Sequence, residues 1–177
     1  MSAVLTPGDS SYGSDRHVAQ LRSPPHAIEA ESSVLGGLLL DNSAWHRVND
    51  LLAEGDFYGY EHRLVYAALS ALVNASKPAD VITVFEQLQN QGKAEGIGGL
   101  AYLNSLAQYV PSAGNIRRYA EIVRERAILR KLVSASDEIA TNAFNPQGGP
   151  GSTILDETEE KIINSGEEGW RMKRGLR

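Results

Sequence analysis

Apolar residues recur along this chain in steps of three and four, the period of an amphipathic helix, from Ile28 almost to the end. Ile28, Val34, Leu35, Leu38 and Leu39 make the first stripe. Glu31 falls among them, and with Glu29 it suits the positive end of that helix. Asp41-Asn42-Ser43 breaks the run, and Asn42 or Ser43 is expected to cap a short second helix that presents Trp45, Val48, Leu51 and Leu52. After a loop, a third helix is expected from about Glu61 to Ala75, with Leu64, Val65, Ala68, Leu69 and Leu72 inward. Asp80 reads as the N-cap of a helix over Val81 to Asn90, and Gly92 sits where a left-handed C-terminal cap belongs. Gly96 to Gly99 reads as a hinge before a fifth helix carrying Leu100, Leu103, Leu106 and Ala107, closed by Pro111.

Asn115 is then expected to cap a long helix, about Ile116 to Ala143, whose main stripe is Tyr119, Ile122, Val123, Leu129, Val133 and Ala140. The run from Asn145 to Gly151, rich in Gly and Pro, breaks it. A last amphipathic segment, about Ser152 to Asn164, offers Ile154, Leu155, Ile162 and Ile163. No stretch alternates with the period of a strand, so the chain reads as all-α. A compact helical head, 26–110, is followed by an antiparallel helical hairpin, 111–165. Residues 1–25 read as a flexible N-terminal tail, too poor in apolar surface to offset the entropy of ordering them. Two amphipathic helices cannot cover both of their own stripes, so the outer apolar surface needs a partner. The residues expected on that self-association face are Tyr119, Ile122, Leu129, Val133, Leu155 and Ile162.

Composition narrows the picture. The net charge is -5, whereas a domain that neutralises many phosphates normally carries a basic excess. Cysteine is absent, which excludes disulfides, thiolate zinc sites and cysteine nucleophiles together. No apolar run has the length of a signal peptide or a membrane span, so a soluble, cytoplasmic protein is expected, with no membrane partner.

The chemistry expected of an enzyme is not legible. No phosphate-loop pattern occurs, and Gly96-x-Gly98-Gly99 reads as a helix start rather than half of a dinucleotide fingerprint. His17, His26, His46 and His62 show no metal-ligand spacing, and His46 and His62 read as surface or cap histidines. The carboxylate pairs Glu29/Glu31, Asp137/Glu138, Glu159/Glu160 and Glu167/Glu168 all fall on faces expected to be solvated. Catalytic, cofactor-binding and metal-binding residues are therefore expected to be absent. Arg117, Arg118, Arg124, Arg126, Arg130 and Lys131 read as a solvated face balanced by Glu121 and Glu125, with Arg117 and Glu121 as a helix-spaced ion pair. A contact for an acidic partner or a nucleic-acid backbone is the sharper alternative, and the basic end (Arg171, Lys173, Arg174, Arg177) has the same two readings. In Asp56-Phe57-Tyr58 the two aromatics are expected to pin a loop to the core.

Several segments, in order, carry a family resemblance. They are Ile28 to Gly36 (IEAESSVLG), Gly55 to Tyr58 (GDFY), Glu61 to Arg63 (EHR), Pro78 to Thr83 (PADVIT), Gly98 to Leu103 (GGLAYL), Pro111 to Ile116 (PSAGNI) and Tyr119 to Glu125 (YAEIVRE). Their order and spacing resemble the N-terminal domain of the replicative DNA helicase DnaB family. The chain departs from the family pattern where Ser32 replaces a usual Gln, Gly114 a usual Ala and Thr158 a usual Ala. The resemblance implies a helical head plus hairpin that assembles with itself, from dimers to a hexameric collar, and docks the C-terminal domain of primase. It also implies that 166–177 begins a linker to a RecA-like motor domain that this sequence lacks. ATP and Mg are implied for the full-length parent, which unwinds DNA at the replication fork. DNA is expected to be met only through the full-length hexamer, and this chain alone is expected to be inactive as an enzyme. The alternative is a stand-alone truncated helical protein that binds nucleic acid or a partner protein.

Overall fold

A computed structural model describes residues 23–109, 113–146 and 151–174, the last ten of these as backbone only. The expected tail over 1–22, the stop at Pro111, the centre of the Gly-Pro run and the side chains of the basic end lie outside the described residues. Within them every regular element is a helix: α1 (Ile28–Leu40), α2 (Tyr60–Asn74), α3 (Val81–Asn90), α4 (Gly99–Gln108), α5 (Ile116–Phe144) and α6 (Gly151–Arg174), with short 3-10 turns between them.

α1 is the centre of the head. It packs against α2, α4 and α5, and it is buried nearly all round, from Ala30 to Leu39. Gly37 helps to permit this. A Cβ on Gly37 would stand 3.0 Å from Cδ1 of Ile116, so α5 crosses close over α1. Leu35 and Leu38 from α1, Leu69 from α2, Leu88 from α3, Leu103 from α4 and Ile116 from α5 meet in one core with Phe57, Val34, Val48, Val65 and Val84.

Local signals hold where they are local. The Asp80 carboxylate accepts from the Ile82 and Thr83 N–H groups, both at 2.9 Å, and the Asp80 N–H donates to Thr83 Oγ1 at 2.8 Å. α3 ends with Gly92 at φ 69, while the Lys93 N–H reaches back to the Leu88 carbonyl. Elsewhere the structure corrects the expectations. The second helix is a six-residue 3-10 turn, Asn42–Arg47, and its cap is Asp41, which accepts from the Ser43 N–H. Asn42 is instead a brace: its amide donates to the Leu38 and Ala79 carbonyls and its oxygen accepts from the Ala79 N–H, tying the end of α1 to the approach of α3. Asn115 stands at the N-cap of α5 but makes no side-chain cap bond, because its backbone (φ -102, ψ 13) continues a 3-10 turn instead of taking the extended capping geometry.

α5 meets the head through Ile116, Ala120, Val123 and Ala127, a stripe of mostly small residues. Of the stripe expected from the sequence only Val123 is buried; Tyr119 and Ile122 flank it, partly buried against the core. Beyond Ala127 no residue of α5 is buried, and past Arg130 the helix leaves the head. There it pairs with α6. Half-shielded positions recur at Ala135, Ile139 and Asn142 on α5 and at Ile154, Thr158 and Lys161 on α6, one helical stripe each, and Lys161 pairs with Glu138 across the hairpin. α6 does not stop near Asn164 but runs to Arg174. No proline interrupts it, and an interior glycine such as Gly166 costs a helix only about 1 kcal/mol relative to Ala. Among the described residues no helix is long and apolar enough to cross a membrane.

Candidate interaction surface and the root of the hairpin

The hairpin turns one stripe inward and leaves another open. Of the residues expected on a self-association face, Leu129, Val133, Leu155 and Ile162 are exposed, the last two at 60%. Tyr119 and Ile122 sit nearer the head, half-covered by its core. Leu132 and Ile163 belong to the same open surface, and Phe144, at the far end of α5, is 79% exposed. Leu132 stands three residues after Leu129, so the helical spacing already marked it; Phe144 sits against the breaker run, where a stripe is hard to extend.

The root of the hairpin is fixed by arginines. Arg124 donates to the Asp56 carboxylate at 2.7 Å in a largely water-free setting. Arg130 donates to the Pro25 carbonyl at 2.8 Å and to the Asp56 carbonyl at 2.6 Å, and its guanidinium lies 5.5 Å from the Tyr58 ring centroid. The same ring stacks on His26 at 4.5 Å. Arg117 pairs with Asp50 and donates to the Arg47 carbonyl, and the Asp50 hydrogen bond raises the already high pKa of the guanidinium. The expected Arg117–Glu121 pair is replaced by Arg118–Glu121. Neither sequence reading of the arginine-rich helix describes these three residues: Arg117, Arg124 and Arg130 tie α5 to the loops and 3-10 turns of its own head.

The Asp56-Phe57-Tyr58 loop divides its aromatics. Phe57 is buried, in ring contact with Tyr66, whereas Tyr58 lies at the surface under Arg130 and His26. Tyr66 in turn donates its hydroxyl to the Leu52 carbonyl; burial, and then the charge of Asp56, push that phenol's pKa up.

His62 and Glu31 overturn their surface readings. They are 2% and 1% exposed and lie 2.6 Å apart. Glu31 also accepts from the Tyr58 N–H, and the other ring nitrogen of His62 lies 2.7 Å from the Tyr102 hydroxyl. The clue was available: an acid at position 31 interrupts an otherwise apolar stripe, and a carboxylate on a buried face needs partners. His46 is exposed, as expected, and so are Asp137, Glu138, Glu159 and Glu160.

Among the described residues no group of three or more His, Asp or Glu is placed to hold a metal. Gly98 and Gly99 adopt positive φ to turn the chain from a 3-10 turn into α4, whereas a dinucleotide fingerprint joins a strand to a helix.

With this geometry in place, the comparisons are specific. The family model "DnaB-like helicase N terminal domain" matches residues 23–125. Replicative DNA helicase DnaB of Haemophilus influenzae is 41% identical over 150 residues, covering 85% of this chain and 32% of that protein. The chain thus spans about a third of the length of the curated relatives it matches. The crystal structure of the N-terminal domain of DnaB helicase from Mycobacterium tuberculosis superposes with a TM-score of 0.77 at 38% identity, covering 80% of this chain and 99% of that one. A DnaB-like replicative helicase, whose structure was described together with its interactions with primase, shares the fold with a TM-score of 0.65 at 22% identity over 78% of this chain and 31% of its own. A helical head, a hairpin rooted on it by arginines and these likenesses agree: the chain belongs to the DnaB-like helicase N-terminal domain family.

Proposed function

We propose that this chain is the assembly and partner-docking part of a replicative DNA helicase. Two copies pair through the open faces of their hairpins, and such pairs close into a hexameric collar. The collar presents a surface to the C-terminal domain of primase. ATP with Mg is handled by parts of a full-length protein that this chain does not contain, DNA is met only through the full-length hexamer, and the work takes place in the cytoplasm.

The observation that carries this reading is the open apolar face of Leu129, Leu132, Val133, Leu155, Ile162 and Ile163. Fully burying one such side chain contributes about 1.5–3 kcal/mol. These are already part-covered, so each gains less, and association itself costs at least about 4 kcal/mol. One pairing therefore yields a concentration-dependent dimer, which closure into a ring strengthens. The primase part is supported by the fold shared with a helicase described with its primase interactions.

Light scattering behind size exclusion tests the assembly. The wild-type chain is expected to run as a dimer or larger, and Leu129→Glu or Val133→Glu to run smaller with unchanged helicity. A monomeric wild type at high concentration refutes the reading, as does an unchanged mass for both variants. In a pulldown the assembled chain is expected to retain the primase C-terminal domain, and purified chain to hydrolyse no ATP.

A further inference from the structure

The buried pair of Glu31 and His62 belongs to a longer series of contacts that the assembly reading does not use. Glu31, on α1, gathers donors: the Tyr58 N–H at 2.6 Å, the Gly59 N–H at 3.3 Å and His62 Nδ1 at 2.6 Å. An ionised carboxylate only accepts, so Nδ1 carries the hydrogen in this bond. His62 Nε2 then faces the Tyr102 hydroxyl of α4 at 2.7 Å. Glycine at position 59 leaves room for this approach, since a Cβ there would crowd His62 Nδ1 at 3.0 Å. On the other side, the loop that Glu31 holds is the one that holds the hairpin: Arg130 bonds the Asp56 carbonyl and covers the Tyr58 ring, and Arg124 bonds the Asp56 carboxylate.

The members are not equally free. Glu31 only accepts and already takes three hydrogen bonds, and the two backbone N–H groups are donor-only. His62 donates from one ring nitrogen and accepts at the other, but both of its partners are fixed within the series; the Tyr102 hydroxyl, which can also donate or accept, is the part-buried end of the series, on α4. Burial, then the charges of Glu61 and Glu31, raise the pKa of that phenol, so it keeps its hydrogen. When it donates to Nε2, His62 is held as the Nδ1–H tautomer facing Glu31. When another acceptor takes that hydrogen, Nε2 loses its donor and the imidazole must shift to regain a partner. That shift alters the hold of Glu31 on Tyr58 and Gly59.

We propose that Tyr102, His62 and Glu31 form a relay that couples the Tyr102 hydroxyl on α4 to the grip of the Asp56–Gly59 loop on the root of the hairpin. The head surface at α4 and the hairpin are then two ends of one device, whether or not the hairpin also pairs with a second copy.

Two perturbations, one from each end of the full chain, test it. Tyr102→Phe removes only the hydroxyl; amide hydrogen exchange is read at Tyr58 and Gly59 and, as a measure of overall opening, at Val84 and Leu88 in α3. The relay predicts that exchange at Tyr58 and Gly59 accelerates at least threefold more than in α3, and that Tyr109→Phe, which removes a hydroxyl at the opposite, C-terminal end of α4, does not reproduce this. Acceleration shared equally by all four amides overturns the proposal. From the other end, Arg130→Met is expected to move the His62 and Tyr102 ring resonances, because coupling is reciprocal. Ring resonances left in place overturn the proposal as well, and this arm decides the matter if Tyr102→Phe does not fold.

Discussion

Arg124 and Asp56 lie 68 positions apart in the chain and 2.7 Å apart in space, and their side chains are only 12% and 4% exposed. Nothing else described at the root of the hairpin brings opposite charges together so far from water. Arg124→Met leaves the Asp56 carboxylate buried with the Ala53 N–H as its remaining side-chain partner. Breaking such a pair costs about 3–5 kcal/mol, against ~0–1 kcal/mol for a surface pair. Urea denaturation of Arg124→Met should fall near the lower end of that range, since the pair is not fully enclosed and Arg124 Nε already lacks an acceptor. A loss below about 1 kcal/mol would place this pair with the surface bridges.

A second expectation concerns the crossing of α1 and α5. Gly37→Ala puts a methyl 3.0 Å from the tip of the Ile116 side chain. Replacing an interior helix glycine by alanine contributes about 1 kcal/mol, which offsets the crowding, so this change should be nearly neutral. Gly37→Val adds bulk that the 2% exposed Ile116 cannot yield to. Overpacking of this kind costs about 1–3 kcal/mol. Calorimetry should show a lower Tm for Gly37→Val and a Tm close to wild type for Gly37→Ala; a Gly37→Val protein as stable as wild type contradicts the close crossing.

The cap of α3 makes a pH-dependent contribution. The hydrogen bond from the Thr83 N–H, helped by the Thr83 side chain and the Ile82 N–H, lowers the pKa of Asp80 below its ordinary 3.8. A carboxyl lowered on folding stabilises the folded state fully above its unfolded value, and that contribution is lost as pH falls through the lowered value. Asp80→Ala should therefore cost about 1 kcal/mol at neutral pH, a usual value for a lost N-cap. The gap to wild type should narrow in acid, while Asp80→Asn, which caps without a charge, should stay near wild type at neutral pH. A gap that is constant through the acid range removes the carboxylate from the account.

What the sequence made legible was what the chain decides locally. Asp80 caps and Gly92 ends α3 because a residue and its next few neighbours settle the matter, and the stripes of α1 and α2 follow from period alone. The face that α5 turns to the head was not legible, because Ala120 and Ala127 carry too little apolar surface to mark a stripe, while the bulkier Leu129 and Val133 drew it elsewhere. The fates of the arginines were not legible either. Asp50 and Asp56 are their partners, and only the packing of α5 across the head brings residues so distant in sequence together. Of the residues expected on the assembly face, Leu129, Val133, Leu155 and Ile162 are open and Tyr119 and Ile122 are half-covered, a division set by where α5 leaves the head.

That point of departure has a mechanical meaning. α5 is one unbroken helix of 29 residues, about 44 Å long, buried on the head as far as Ala127 and last tied to it at Arg130. The rest is a lever arm of roughly 20 Å, so a tilt of about 5° at its base carries the end near Phe144 about 2 Å sideways. Whatever meets the hairpin far from the head is thus aligned by a few guanidinium contacts at the base, and wear there is magnified with distance.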